Sequence, residues 1–254
     1  MIQLKNEFDI KKLKEIGKIA YRILAKTVKN IKEGVSTKDI DDFVESEVEK
    51  YKVKAAFKGY NGYPASICIS VNDEVVHGIP KKDKILKNGD IVSLDFGAVK
   101  DGYYSDIAVT VAVGEIDLEA KKLIDVTREA LYKGIEKAVV GNRLFDISYA
   151  IQRVVETNGF SVVKSFVGHG IGKSLHEEPQ VPNFGNPGCG VKLKEGMVLA
   201  IEPMVNVGTS AVKVDDDGWT ARTMDGSLSA HFEHCVAITK KGPYILTIDE
   251  EFDA

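Results

Sequence analysis

The chain is short of cysteine, of charge of one sign and of long apolar runs, and each shortage removes a class of protein. Three cysteines, Cys68, Cys189 and Cys235, occur in 254 residues. An odd count without C-x-x-C spacing argues against a disulfide framework and a cysteine-built zinc module, and suits a reducing cytoplasm. The 34 Lys and Arg nearly balance the 38 Asp and Glu, for a formal net charge of -4. Such a balance gives no general attraction to nucleic acid or anionic lipid. The first residues, Met1-Ile-Gln-Leu-Lys-Asn-Glu, lack the apolar core of a secretory signal. The longest apolar stretch, about residues 197–207, is broken by Glu202 and is too short to span a bilayer.

An apolar fraction of 44% supplies a well-buried core. Apolar side chains at Ile10, Leu13, Ile16, Ile19, Ala20, Ile23, Leu24, Val28 and Ile31 follow the three-four spacing of an amphipathic helix, with Gly34 beyond its end. Ser36 or Thr37 can cap a second helix whose apolar face is Ile40, Phe43, Val44, Val48 and Tyr51. From Ala65 to Val113, β-branched runs alternate with Gly, Asn and Asp and predict antiparallel strands. Residues 118–139 and 144–157 are helical by the same spacing, and strand-like text runs from Phe160 to the end.

Helix, helix, strands, twice over, suggests duplication. A shift of 107 residues places Ile16 on Leu123, Gly34 on Gly141 and Asp39 on Asp146. It also lays Leu86-Lys-Asn-Gly-Asp-Ile-Val-Ser-Leu-Asp95 on Leu193-Lys-Glu-Gly-Met-Val-Leu-Ala-Ile-Glu202 without a gap. Amphipathic helices match by period alone, whereas a shared L-K-x-G ending on a carboxylate does not arise so easily. The expectation is a single α+β domain over residues 1–254, with repeats of about 10–113 and 117–240 around one curved sheet. The second copy needs about 20 extra residues in its connection, and the loop Asp215–Ser229 has the composition to hold them.

Acidic residues inside apolar strands carry the chemical signal, since an unpaired buried carboxylate costs several kcal/mol. Asp95 ends Ile91-Val-Ser-Leu94. Asp106 follows the hairpin text Val99-Lys-Asp-Gly102. A two-residue loop, Lys100-Asp101 or Asp101-Gly102, sets both aspartates on one sheet face; a three-residue loop separates them unless Gly102 forms a bulge. Glu202 interrupts Met197-Val-Leu-Ala-Ile201. Glu233 opens the apolar strand to Ile238, where an edge strand with a solvated glutamate is an equally plain reading. His169 lies in a glycine-flanked loop, Val167-Gly-His-Gly-Ile-Gly172, suited to a metal ligand, although structural histidines in such turns are as common. Four carboxylates and one imidazole suit divalent Mn, Fe, Co or Zn rather than a thiolate site, and two cations would offset their repulsion.

The segments Asn61-Gly-Tyr-Pro-Ala-Ser-Ile-Cys-Ile-Ser70, Gly168-His-Gly-Ile-Gly172, His176-Glu-Glu-Pro-Gln-Val181, Ile201-Glu-Pro-Met-Val205 and Asp216-Asp-Gly-Trp-Thr220 resemble those of bacterial type I methionine aminopeptidases, in family order along essentially the whole chain. The resemblance implies the pita-bread fold, with two pseudo-two-fold halves and helices outside a curved antiparallel sheet. It implies removal of the initiator methionine from nascent proteins and peptides, with a small second residue preferred. It further implies two divalent ions (Co, Mn, Fe, Zn or Ni): Asp95 on one, His169 and Glu202 on the other, Asp106 and Glu233 bridging. Glu202 would also carry the proton, His176 would bond the carbonyl oxygen, and His77 would touch the amide nitrogen beyond the scissile bond. Tyr60, Tyr63, Cys68 and Trp219 would line the methionine pocket, where Leu175 replaces an aromatic ring common in relatives. Family role implies nascent chains as substrate, which allows proximity to the ribosome; a monomer is the expected state, and the charge balance and hydropathy point to no nucleic-acid or membrane partner. Two rivals share the fold: a proline-specific aminopeptidase or dipeptidase, and a binding protein that has lost catalysis. The filled ligand positions and the His-Glu-Glu-Pro-Gln-Val segment favour the first reading over both.

Overall fold

A computed structural model describes residues 1–253. The first helix, α1 (Glu7–Val28), begins three residues earlier than its apolar spacing predicts. The reason is a capping box: the Asn6 side chain accepts from the Asp9 N–H, and the Asp9 carboxylate accepts from the Asn6 N–H. Helix α2 (Thr37–Tyr51) is capped by Ser36, which settles the choice between Ser36 and Thr37. Thr37 is instead drawn away, its hydroxyl donating to the Lys81 carbonyl. Short strands β1 (Lys54–Ala55), β2 (Cys68–Val71) and β3 (Glu74–Val76) lead to the long hairpin of β4 (Ile91–Lys100) and β5 (Tyr103–Ala112).

Asp101 and Gly102 form the hairpin turn, both at positive φ (51° and 77°), the geometry that Asp-Gly favours between twisted strands. This two-residue loop pairs Lys100 with Tyr103, Gly97 with Asp106 and Asp95 with Ala108. Facing residues share a side, so Asp95 and Asp106 lie on one face, a diagonal step apart.

The second half repeats the plan. Helices α3 (Leu118–Ile135) and α4 (Leu144–Thr157) precede β6 (Ser161–Val162), β7 (Gly168–Gly170), β8 (Glu177–Val181) and β9 (Val198–Ile201). Helix α3 ends four residues before the expected 139, where Ala138 N–H bonds Ile135 and the chain turns towards Gly141. Backbone bonds recur at the 107-residue offset (141 against 34): Gly34 to Leu86 and Gly141 to Leu193, Leu86 to Val35 and Leu193 to Asn142, Val53 to Val48 and Phe160 to Val155. Isolated bridges Ser36–Ile85 and Arg143–Lys192 repeat likewise.

The strand text continues through β10 (Met204–Asn206) and β11 (Val212–Val214), and the Asp215–Ser229 stretch expected to be a loop holds a further strand, β12 (Ala221–Thr223), before β13 (Ser229–His231). Hairpin β11–β12 pairs with β3, and Arg222 anchors it through Asp73 at 2.6 Å and through Glu74 and Asp215 at 3.0 Å each. The last strands are β14 (Glu233–Thr239) and β15 (Gly242–Ile245). The strand text expected to reach the terminus gives way to a short helix, α5 (Glu250–Asp253), after Asp249 takes ion pairs from Lys18 and Arg22 of α1.

The main sheet is antiparallel, ordered β1-β4-β5-β14-β9-β7-β8, with β2 beside β4 and β15 beside β14. One core joins α1 and α2 to β4 and β5; a second joins α3 and α4 to β9 and β14. The helices therefore cover one sheet face, and the other is left to build a site. Among the described residues, no helix is long and apolar enough to cross a membrane.

Candidate active site

Five strands or strand ends of the main sheet deliver the predicted ligands to one place. Asp95 comes from β4, Asp106 from β5, His169 from β7, Glu202 from the end of β9 and Glu233 from the start of β14. Strand β14 lies between β5 and β9, so Glu233 is not the solvated edge residue its sequence also allowed; it is buried and faces Ala108. Ligand atoms of Asp106, His169 and Glu233 all lie within 4.8 Å of one another. The His169 Nε2 stands 3.6 Å from Glu202 Oε1 and 4.0 Å from Asp106 Oδ2.

The glycines around His169 do something other than admit a ligand. His169 sits in a strand, not a loop, and a Cβ at Gly168 would lie 2.3 Å from the Ala200 carbonyl oxygen, one at Gly170 2.3 Å from that of Glu178. They allow close backbone packing on both sides of β7. The His169 Nδ1 lies 2.9 Å from the Gly170 carbonyl oxygen, which can only accept, so Nδ1 carries the proton and Nε2 keeps its lone pair towards the carboxylates. This is the tautomer of a metal ligand.

Burial raises every carboxyl here, and their proximity adds to it. Asp95 is pushed up to about 7 by burial, with His231 opposing the rise and Glu202 adding to it. Burial takes Glu202 up to about 8. Asp106 and Glu233 lie well above the ordinary range, again from burial first and then from neighbouring carboxylates. Burial lowers His169 to about 3, so the ring is neutral and able to ligate. Among the described residues, Asp95 Oδ1 and Glu233 Oε1 are buried without a hydrogen-bond partner. Unpartnered buried oxygens, crowded acids and a neutral imidazole fit hard divalent cations. Thiolate is absent from the set, since burial pushes the nearby Cys68 thiol well up.

Stability without metal should therefore fall with pH. Asp95 and Glu202 have folded-state values (about 7 and 8) above their ordinary 3.8 and 4.5, so their favourable contribution is complete below about pH 4 and lost as pH passes 8. Scanning calorimetry of chelator-treated protein is expected to show Tm dropping across this window, and added Mn should remove the drop. A flat profile for the stripped protein would contradict the crowded-acid site.

The carboxylates floor a cavity of about 220 Å³, whose lining includes Tyr60, Tyr63, Cys68, His77, His176 and Trp219. Ordinary small-molecule sites span roughly 300–1,000 Å³, so this one suits a single side chain with its backbone. Tyr63 is buried, its hydroxyl donating to the Gly78 carbonyl at 2.9 Å, and its ring meets Trp219 edge-on at 5.2 Å. Leu175 is fully buried in the same wall. His77, at φ 61° just past β3, is wedged between Phe166 and Trp219 rather than lying on the surface. The His176 Nδ1 lies 2.7 Å from the Tyr60 hydroxyl, and its ring is 4.3 Å from that of His169.

Every residue expected at the site is thus brought together. Phe57, Asn61, Phe166 and His231 also stand there or beside it and were not anticipated. Strand alternation could have found His231, two residues before Glu233 and on the same side.

An antiparallel sheet curved around an acidic cluster with one imidazole defines a metallopeptidase site. The chain belongs to metallopeptidase family M24, which it matches over residues 11–240. It is 54% identical to the methionine aminopeptidase of Clostridium acetobutylicum over 98% of this chain and the whole of that one. The methionine aminopeptidase of Clostridium perfringens is 54% identical, over 98% and 99% of the two chains. Its fold matches the crystal structure of the Thermotoga maritima methionine aminopeptidase with a TM-score of 0.96 and 51% identity, over 98% and 100% of the chains.

Proposed function

We propose that this chain is a metal-dependent aminopeptidase that removes the N-terminal methionine from new proteins and peptides by hydrolysis. The observation that carries it is the four-carboxylate, one-imidazole floor beneath a small cavity walled by Tyr63, Cys68, Leu175 and Trp219. A flexible thioether packs well against aromatic rings and a thiol. Relatives of near-equal length that bear this activity support the reading. Residues 1–254 act as one catalytic unit of two repeats, about 10–113 and 117–240. Its setting is the cytoplasm, as a monomer meeting chains near the ribosome.

Asp95 would hold one divalent ion, His169 and Glu202 another, and Asp106 with Glu233 both; Co, Mn, Fe, Zn and Ni all suit these donors. When bound, the ions supply Lewis acidity and lower the pKa of water towards neutrality. Glu202 accepts the proton of the attacking water and passes it to the leaving amine. With the Tyr60 hydroxyl donating to Nδ1, His176 presents an Nε2–H to the carbonyl oxygen as negative charge develops there. His77, held between two rings, meets the amide nitrogen beyond the scissile bond. Tyr60, Tyr63, Cys68 and Trp219 fix the methionine side chain.

A hydrolysis assay with added Mn or Co tests this reading. Met-Gly-X peptides should be cleaved with release of free methionine, and X-Pro peptides should be left intact. Preference for X-Pro substrates would replace the methionine assignment with a proline-specific one.

A further inference from the structure

Behind Glu202 lies a second imidazole that none of the roles above uses. His231 ends β13 and is only 1% exposed, yet both its ring nitrogens lack a hydrogen-bond partner among the described residues. Leaving a buried polar group in that state opposes folding, and such groups in native folds have a reason to be there. The ring's position supplies one. Its Nε2 stands 3.5 Å from Glu202 Oε2, while His169 Nε2 stands 3.6 Å from Glu202 Oε1. The glutamate thus lies between two imidazoles, one near each oxygen, and since His169 Nε2 bears no proton only His231 is placed to donate to it.

The backbone of His231 is locked in place independently of its ring. Its N–H donates to Thr110 Oγ1 at 2.8 Å, its carbonyl accepts from the Thr110 hydroxyl at 2.8 Å, and Thr110 lies 2.8 Å from Ser93 Oγ. Ser93 and Thr110 face each other on the hairpin that carries Asp95 and Asp106. The Glu202 carbonyl accepts from Asn183 Nδ2 at 3.0 Å, but no such bond fixes its carboxylate, which follows the end of β9, where the strand breaks at Pro203. A carboxylate at a strand end that must face an ion with one oxygen and move a proton needs its other oxygen fixed.

We propose that His231 is a positioning residue for Glu202, donating its Nε2–H to Oε2 so that Oε1 is presented beside His169. The proposal rests on the assignment of Glu202 as ligand and proton carrier. It gives the neutral ring one tautomer, Nε2–H, and leaves Nδ1 bare.

Three measurements on the full chain test it. Calorimetric titration of the stripped protein with Mn should show H231L binding at least about tenfold more weakly, and kcat on a Met-Gly-X peptide should fall about 10–100-fold with KM within about twofold. H231Q, which restores an N–H donor, should stay within about threefold of wild type in both. If H231L does not fold, H231M takes its place as a donor-free but adaptable side chain. Long-range ¹H–¹⁵N correlation spectra of the Zn-loaded protein should report a protonated Nε2 on His231. Wild-type affinity and turnover in the Leu or Met variant would overturn the proposal, as would an Nδ1–H tautomer, or a loss in H231Q equal to that in H231L. Failure of wild type itself to bind Mn would instead sink the metallopeptidase reading beneath it.

Discussion

Asp106→Asn is expected to abolish turnover and weaken both metal ions while making the stripped protein more stable. Asp106 is buried at the centre of the site, close to His169, Glu233 and Asp95. A carboxamide offers one neutral oxygen where the carboxylate offers two charged ones, so neither ion would keep its full donor set. Loss of several kcal/mol of metal-derived stabilisation corresponds to roughly a thousandfold or more in kcat/KM. The stability change has the opposite sign. Burial and the neighbouring Asp95 and Glu202 hold Asp106 well above the ordinary carboxylate range, so its charge opposes folding at neutral pH. Removing it relieves that opposition, and each kcal/mol gained should raise Tm by about 2–4 °C in a chain of this size. Titration with Mn measures the first effect and calorimetry at pH 8 the second. A variant with normal affinity and turnover would remove Asp106 from the centre.

His176→Ala is expected to slow every substrate by about 10²–10³ in kcat, the usual loss when one oxyanion donor is removed. Its ring stands over His169, braced by the Tyr60 hydroxyl, and it is the most open of the site histidines. The variant should keep the wild-type ranking of second residues, because that ranking has a separate origin. If His77 and the Tyr60–Tyr63 turn close over a bound peptide, little space is left beyond its methionine side chain, and a bulky second side chain would displace the scissile carbonyl. A misplacement of about 1 Å can cost on the order of a hundredfold. Met-Gly, Met-Ala and Met-Ser peptides should therefore exceed Met-Leu, Met-Lys and Met-Arg in kcat/KM, for wild type and variant alike. Equal rates on Met-Gly and Met-Arg peptides would refute the crowded second position. A changed ranking in the variant would show that His176 reads the second residue as well as the carbonyl.

The sequence by itself determined helices α1 to α4 to within about a turn, because their three-four spacing acts locally, whereas the short α5 fell where strand text was expected. It determined the 107-residue repeat as well, since Leu86-Lys-x-Gly and Leu193-Lys-x-Gly each close against the preceding helix-helix unit through the same backbone bonds. The acidic residues stood out because a carboxylate inside an apolar strand is costly without a partner. Three features were decided only by tertiary structure. The loop of the β4–β5 hairpin could have been Lys100-Asp101, Asp101-Gly102 or three residues long; the pairing of Lys100 with Tyr103 chose Asp101-Gly102, which put Asp106 on the face of Asp95 and a diagonal step from it. Glu233 reads equally well as an edge residue until β5 and β9 close on both sides of β14. The 215–229 segment has loop composition, yet β3, far away in sequence, offers an edge, and Arg222 finds Asp73 and Glu74 there. In each case the partner is remote along the chain, and local periodicity says nothing of which strand a segment will meet. His231 marks the same boundary: its two-residue spacing from Glu233 is local, but its meeting with Glu202 exists only once β13 and the end of β9 are brought together.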